Sequence, residues 1–205
     1  MMLVNFILIY TLLLISIFGY GLFFSIYLSK YNKINTFSIS PGIIGIFGIF
    51  LLTFLSFLTN LFLPHNNFHN GVVLIIGFLF FILLFKKIKD KNNLKYLFLS
   101  YLISFFSIFL FKNHDDFSYY HLSFTSNLTE NKLEFGLGHF EVAFNHVSSI
   151  FFTNSLFKTI LTKDFFFQMT QVTVVIFVNT ILFQNIFLKK NDEKLNINFY
   201  LSLFC

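Results

Sequence analysis

Apolar residues run almost unbroken over 3–28, 43–63, 72–85, 96–111 and 165–188, and shorter polar stretches separate these runs. A helix needs about 20 predominantly apolar residues to cross the hydrocarbon core of a bilayer. The pattern therefore predicts five membrane-spanning helices. The third and fourth runs are short, so they need their flanks, a thin local bilayer, burial within the bundle or a re-entrant hairpin to serve. A last apolar stretch, 199–205, reads as the start of a sixth span. The expected fold is all-α: a polytopic transmembrane helix bundle forming one domain over 1–205, and the N-terminal part of a longer protein. The first run is too long for a signal-peptide core and lacks a basic flank and a small-residue cleavage site, which makes it a retained span.

One long polar break interrupts the pattern, at 112–164. Structureless loops of that length are uncommon, so helices are expected inside it. Phe117, Tyr120, His121, Phe124 and Leu128 follow a 3.6-residue period, with Ser118, Ser123, Thr125, Ser126 and Asn127 largely opposite. That predicts an amphipathic helix lying on the membrane surface, with Asp115 or Asp116 at its N-cap. A turn is expected at Gly136-Leu137-Gly138 and a second surface helix at about 147–161.

Composition sharpens this reading. The chain is 56% hydrophobic and only 11% charged, with a mean hydropathy of +0.76, far from the soluble globular range. All 14 basic residues are lysine, and 36 phenylalanines stand beside no tryptophan; that bias follows AT-rich codons and carries no functional signal. The formal charge of +5 is dispersed over short loops without a continuous basic patch, which argues against nucleic acid as a partner. Lys30 and Lys33 lie in the first loop, none in the second at 64–71, five from Lys86 to Lys95 in the third, and Lys189, Lys190 and Lys194 in the fifth. By the positive-inside rule these odd loops are cytoplasmic, and the 112–164 loop is extracytoplasmic.

Small residues and polar groups add detail. Gly42, Gly45 and Gly48 recur every three residues, a face suited to close helix packing within the bundle or to an oligomer seam. Pro41 fits the first turn of the second span. The lone Cys205 excludes an internal disulfide and a cysteine metal cage. Asn60, Gln171 and Asn179 are polar but uncharged; with no ionisable group inside a span, a proton-coupled pathway finds no support. His65 and His69 in the second loop read as solvated surface groups.

Chemistry concentrates in the polar break. His114, Asp115, Asp116, Tyr120 and His121 fall within eight residues, and His139 and His146 follow. One aspartate can serve as a helix cap; two adjacent ones exceed that need. The histidine spacings match no established zinc pattern, so no metal ligand set is assigned, although a divalent ion at the carboxylates stays open.

The order His114-Asp115-Asp116-Phe117-Ser118-Tyr119-Tyr120-His121, then Glu134-Phe135-Gly136-Leu137-Gly138-His139, then Asn145 and Ser148-Ser149, resembles a group of bacterial polytopic membrane proteins laid out like the C-type membrane glycosyltransferases. The resemblance covers about a fifth of the chain. It implies a bacterial inner-membrane location and catalysis on the periplasmic side, with a polyprenyl-phosphate sugar donor and an envelope glycan as acceptor. Asp115 and Asp116 would be the catalytic carboxylates. His114, Tyr120, His121 and His139 would bind substrate, with Lys132 or Lys158 as further phosphate contacts. The chain departs from that plan in placing the acidic loop after the fourth span, where the first is usual. Two other readings stand beside this one: a transporter or flippase of lipid-linked substrates, and a non-catalytic membrane scaffold.

Overall fold

The computed structural model describes residues 2–32, 39–88, 91–108, 119, 121–139, 144, 148–159 and 169–188. Every regular element among them is helical: α1 Met2–Asn32, α2 Pro41–Asn60, α3 Asn67–Leu84, α4 Leu94–Ile108, α5 Leu122–Glu130, α6 Ser149–Ser155 and α7 Met169–Leu188. Four helices are long and apolar enough to cross a membrane, namely 7–30, 41–60, 67–87 and 169–187. This is a helical membrane protein. The third span is longer than the apolar run implies, because Asn66 caps α3 by accepting from the His69 N–H and a 3₁₀ turn carries it on to Lys87. The cap satisfies one of the donors that every helix N-terminus leaves free, so the helix begins before its first strongly apolar residue. α4 has 15 described residues.

The longest helix, α1, forms the spine of the bundle, with α2 and α3 packed on it and making little contact with each other. Backbone proximity decides both crossings. A Cβ on Gly19 would collide with the Gly77 carbonyl, and one on Gly48 with the Ile17 carbonyl. With side chains absent there, the Ser16 hydroxyl reaches the Leu74 carbonyl at 3.0 Å and the Tyr20 hydroxyl reaches the Val73 carbonyl at 2.8 Å. Such interhelical bonds give direction to helices that have no hydrophobic force pressing them together inside lipid. Gly42 and Gly45 lie under Phe177 and Ile181 of α7, whereas Gly48 faces α1. The glycine repeat is thus used within the bundle, on two different neighbours. Pro41 occupies the first turn of α2 behind the Ser40 cap.

Residue pairing gives the helix directions. Gly21 meets Ile44, Phe23 stacks on Phe80 and Tyr96 stacks on Phe187. The end of α1, the start of α2, the end of α3, the start of α4 and the end of α7 therefore share one end of the bundle, together with Lys30, Lys86, Lys87, Lys91 and Lys95. The α2–α3 connection, α5 and α6 lie at the other end. Large apolar side chains such as Phe50, Ile75 and Leu83 face outward, at 62%, 61% and 69% exposure, as expected where the surroundings are hydrocarbon.

Candidate functional site

The end of the bundle opposite Lys30, Lys86, Lys87, Lys91 and Lys95 is built around the α2–α3 connection. Each helix leaves its last four carbonyls without intrahelical donors, and α5 and α6 both terminate here. Their carbonyls are satisfied by side chains and backbone from that connection. The Leu128 carbonyl near the end of α5 accepts from the His65 N–H at 2.9 Å and from Asn60 Nδ2 at 3.0 Å. Beyond α5, the Leu133 N–H returns to the Asn60 carbonyl at 2.8 Å. Asn70 Nδ2 lies 2.7 Å from the His65 carbonyl, 2.8 Å from the Ser155 carbonyl and 2.7 Å from the Lys158 carbonyl, so a single amide joins the first turn of α3 to the end of α6. The Ser56 hydroxyl donates to the Phe152 carbonyl, and Thr53 and Thr153 share a hydroxyl bond of 2.7 Å.

His65 stands at the centre of this knot. Its side chain is fully buried, which corrects the expectation of a solvated group; His69 is half-buried and stacks on it with ring centroids 4.8 Å apart. Sequence hydropathy misled here because a histidine between two spans reads as loop, whereas α6 folds over it. The Ser155 hydroxyl donates to the Phe152 carbonyl at 2.7 Å, and its oxygen accepts the His65 Nδ1–H at 2.5 Å. Nε2 lies 3.2 Å from the oxygen of the Thr59 hydroxyl, which itself donates to the Ser56 carbonyl at 3.2 Å. Burial, followed by the neighbouring His69, pulls the His65 pKa down to about 3, with the Ser56 carbonyl offsetting part of the shift. The ring is neutral under ordinary conditions, so its role is to bridge hydroxyls and hold α6 in place.

The two loop helices depart from expectation in instructive ways. α5 starts at Leu122, and Phe124 and Leu128, expected on the apolar face of a helix lying at the membrane surface, are buried within the protein, as are Thr125 and Thr129. The reason is that α5 is covered by α6: Phe124 packs on Phe151 and Phe152. α6 is seven residues long, and the whole stretch from Phe151 to Phe157 is buried. It is therefore a plug between α2 and α5, not a surface helix. The turn at Gly136 is present, with φ of +88°, a conformation that glycine alone adopts without strain.

Of the predicted site residues, His121 is half-buried at the start of α5, its ring edge-on to Phe151 at 5.0 Å. His139 is exposed at the end of a 3₁₀ turn, with its N–H bonded to the Gly136 carbonyl. His114, Asp115, Asp116 and Tyr120, together with the N-cap role expected of either aspartate, lie outside the described residues. Lys158 reaches the Thr129 hydroxyl at 3.3 Å, and Lys132 is exposed. Among the described residues, no group of three or more histidines, cysteines or carboxylates could hold a metal ion. Asn60, His65, Asn70 and Ser155 are the residues that sequence reading missed. One signal was available: an Asn near the end of one apolar run and another just before the next must each find partners if they are to be buried.

An apolar cleft leads into this knot. Because α2 and α3 diverge from their contacts on α1, a space of about 320 Å³ opens between them, lined by Leu51, Leu55, Val73, Ile76 and Phe80, with Thr59 and Leu156 at the knot end. Phe23 and Ile76 at its rim are 41% and 38% exposed, so the cleft is open from the side of the bundle. Thr59 belongs both to this cleft and to the His65 network. Hydrocarbon can thus enter laterally, and the hydroxyl-bearing Ser56 and Thr59 stand at the inner end of the cleft, near the end of α2.

Compared with protein-family models, curated proteins and solved structures, the chain gives no match.

Proposed function

We propose that this protein acts on a lipid-linked substrate at the membrane surface, as a glycosyltransferase-like enzyme passing a sugar from a polyprenyl-phosphate donor to an envelope glycan. The observation that carries the reading is the lateral apolar cleft ending at Thr59, where the knot around His65 anchors α5 and α6. A donor whose tail occupies the cleft presents its phosphate and sugar to the loop that carries His121 and, five residues before it in sequence, Asp116. In this reading the lysine-bearing end is cytoplasmic and the loop end periplasmic, α4 is the fourth of five spans and α7 the fifth, and the location is the bacterial inner membrane.

Such a donor is already activated. Asp115 or Asp116 takes the proton of an acceptor hydroxyl, whose oxygen attacks the anomeric carbon as the bond to the carrier phosphate breaks. The polyprenyl phosphate leaves with the bonding pair. His121, with His114, Tyr120 and His139, supplies donors to the sugar and the leaving phosphate, and Lys158 adds a cation. A divalent ion would serve the same leaving group; the described residues present no ready set of ligands for one.

The deciding experiment compares lipid-linked sugars and envelope glycans by mass spectrometry in cells carrying the unaltered protein and the Asp115→Asn, Asp116→Asn double variant. Accumulation of a lipid-linked donor together with loss of a glycan decoration is the expected result. Unchanged pools, with the variant protein present at normal abundance, would overturn the proposal.

A further inference from the structure

At the lysine-bearing end of the bundle, roughly 25 Å from the knot by the helical rise of α2, lies a second and larger cavity of about 490 Å³. It is enclosed by the last turns of α1 and α7 and the first turn of α2. Leu28, Ile43, Phe47 and Ile181 give it an apolar body, and Ser25, Ser29, Ser40, Gln184 and Asn185 place hydrogen-bonding groups on the same wall. Its volume is that of a small-molecule site.

Two of these polar groups have no partner among the described residues. Ser25 is 2% exposed and its hydroxyl is unbonded; the buried Gln184 Oε1 is likewise unbonded. A polar atom left unsatisfied within a membrane-spanning bundle is costly. The neighbouring serines are half-committed. Ser29 donates to the Ile26 carbonyl at 2.8 Å, which leaves its oxygen to accept, and Ser40 accepts from the Gly42 N–H at 3.3 Å, which leaves its hydrogen to donate. Among the described residues, no lining residue carries a charge, so an ionic group inside would find no counter-charge among them.

We propose that this cavity binds an uncharged, hydroxyl-bearing amphiphile, its hydroxyl donating to Gln184 Oε1 and pairing with Ser25 while its apolar part rests against Ile43 and Phe47. A hydroxyl suits because it both donates and accepts, as this wall requires. The site is separate from the cleft at the knot and stands whether or not the transfer reaction does.

The chain contains no tryptophan, so Phe47→Trp installs a single fluorophore in the cavity. The full chain is placed in phosphatidylcholine nanodiscs, and tryptophan emission is followed against rising mole fractions of dioleoylglycerol or, separately, against soluble glycerol. A saturable change is expected, with half-saturation moved about fivefold or more by Ser25→Ala or Gln184→Leu, the effect of one lost hydrogen bond. A response to dioleoylglycerol alone identifies a lipid head as the source; a response to glycerol as well identifies a soluble polyol. Absence of saturation with either, or a response that both substitutions leave unchanged, would overturn the proposal and leave a cavity holding water or hydrocarbon only. If Phe47→Trp does not fold, Ile39→Trp reports from another lining position of the same cavity.

Discussion

His65 Nδ1 lies 2.5 Å from the hydroxyl of Ser155, joining the short polar break after the second span to a plug helix 90 residues later in the chain. Around that bond, Asn60 and Asn70 close the exposed carbonyl ends of α5 and α6. The α2–α3 connection therefore works as a clamp for the long loop.

Asn70→Ala removes the amide shared among three carbonyls and leaves buried acceptors unpaired. Each such loss costs on the order of 1–3 kcal/mol. The expected outcome is a lower melting temperature in detergent and protease cleavage between α5 and α6 at concentrations that leave the unaltered protein intact. Equal cleavage of the two proteins would count against the clamp.

The clamp should weaken in acid. Burial first, then His69, lowers the folded-state pKa of His65 to about 3, against about 6.5 in an unfolded chain. Between those values the unfolded state binds the extra proton, so stability rises with pH across the window. It is fully present above about pH 6.5 and declines progressively toward pH 3. Melting temperatures recorded from pH 7 to pH 4 should fall more steeply for the unaltered protein than for His65→Asn, which keeps a group to face Ser155 but does not titrate. Parallel curves would sink the assignment.

Two glycines of α3 should respond in opposite ways. A Cβ at Gly77 would strike the Ser16 hydroxyl and carbonyl and the ring of Tyr20, whereas a Cβ at Gly71 meets nothing within 4 Å. Gly77→Val is expected to force α1 and α3 apart and abolish the folded, monodisperse protein. Gly71→Ala should be neutral or stabilising by up to about 1 kcal/mol through helix propensity. Size-exclusion profiles and melting temperatures of the two variants check the contrast.

Filling the cleft tests its use. Ile76→Trp projects bulk into the space between α2 and α3 from a rim position that is already 38% exposed, so the melting temperature should change little. If the cleft holds the donor's tail, transfer from a polyprenyl-phosphate sugar should fall at least about tenfold, mainly through a raised KM. Normal transfer in a correctly folded Ile76→Trp protein would place the tail elsewhere.

Much of the architecture was legible in the order of residues. Apolar runs of spanning length, Pro41 behind Ser40, the Gly136 turn and the common helix face of Phe124 and Leu128 follow from local rules: hydrocarbon length, cap chemistry, backbone freedom and a 3.6-residue period. Each needs only neighbours in the chain. The candidate catalytic aspartates likewise rest on sequence, since Asp115 and Asp116 lie outside the described residues. What tertiary structure alone decided is where polar groups between spans find partners. His65 is buried because α6 covers it, and α6 is a plug instead of a surface helix because α2 and α5 supply the contacts and caps that a seven-residue helix cannot supply for itself. Those partners stand 68 to 90 residues away in sequence, and neither hydropathy nor periodicity records which distant carbonyl a buried amide will meet.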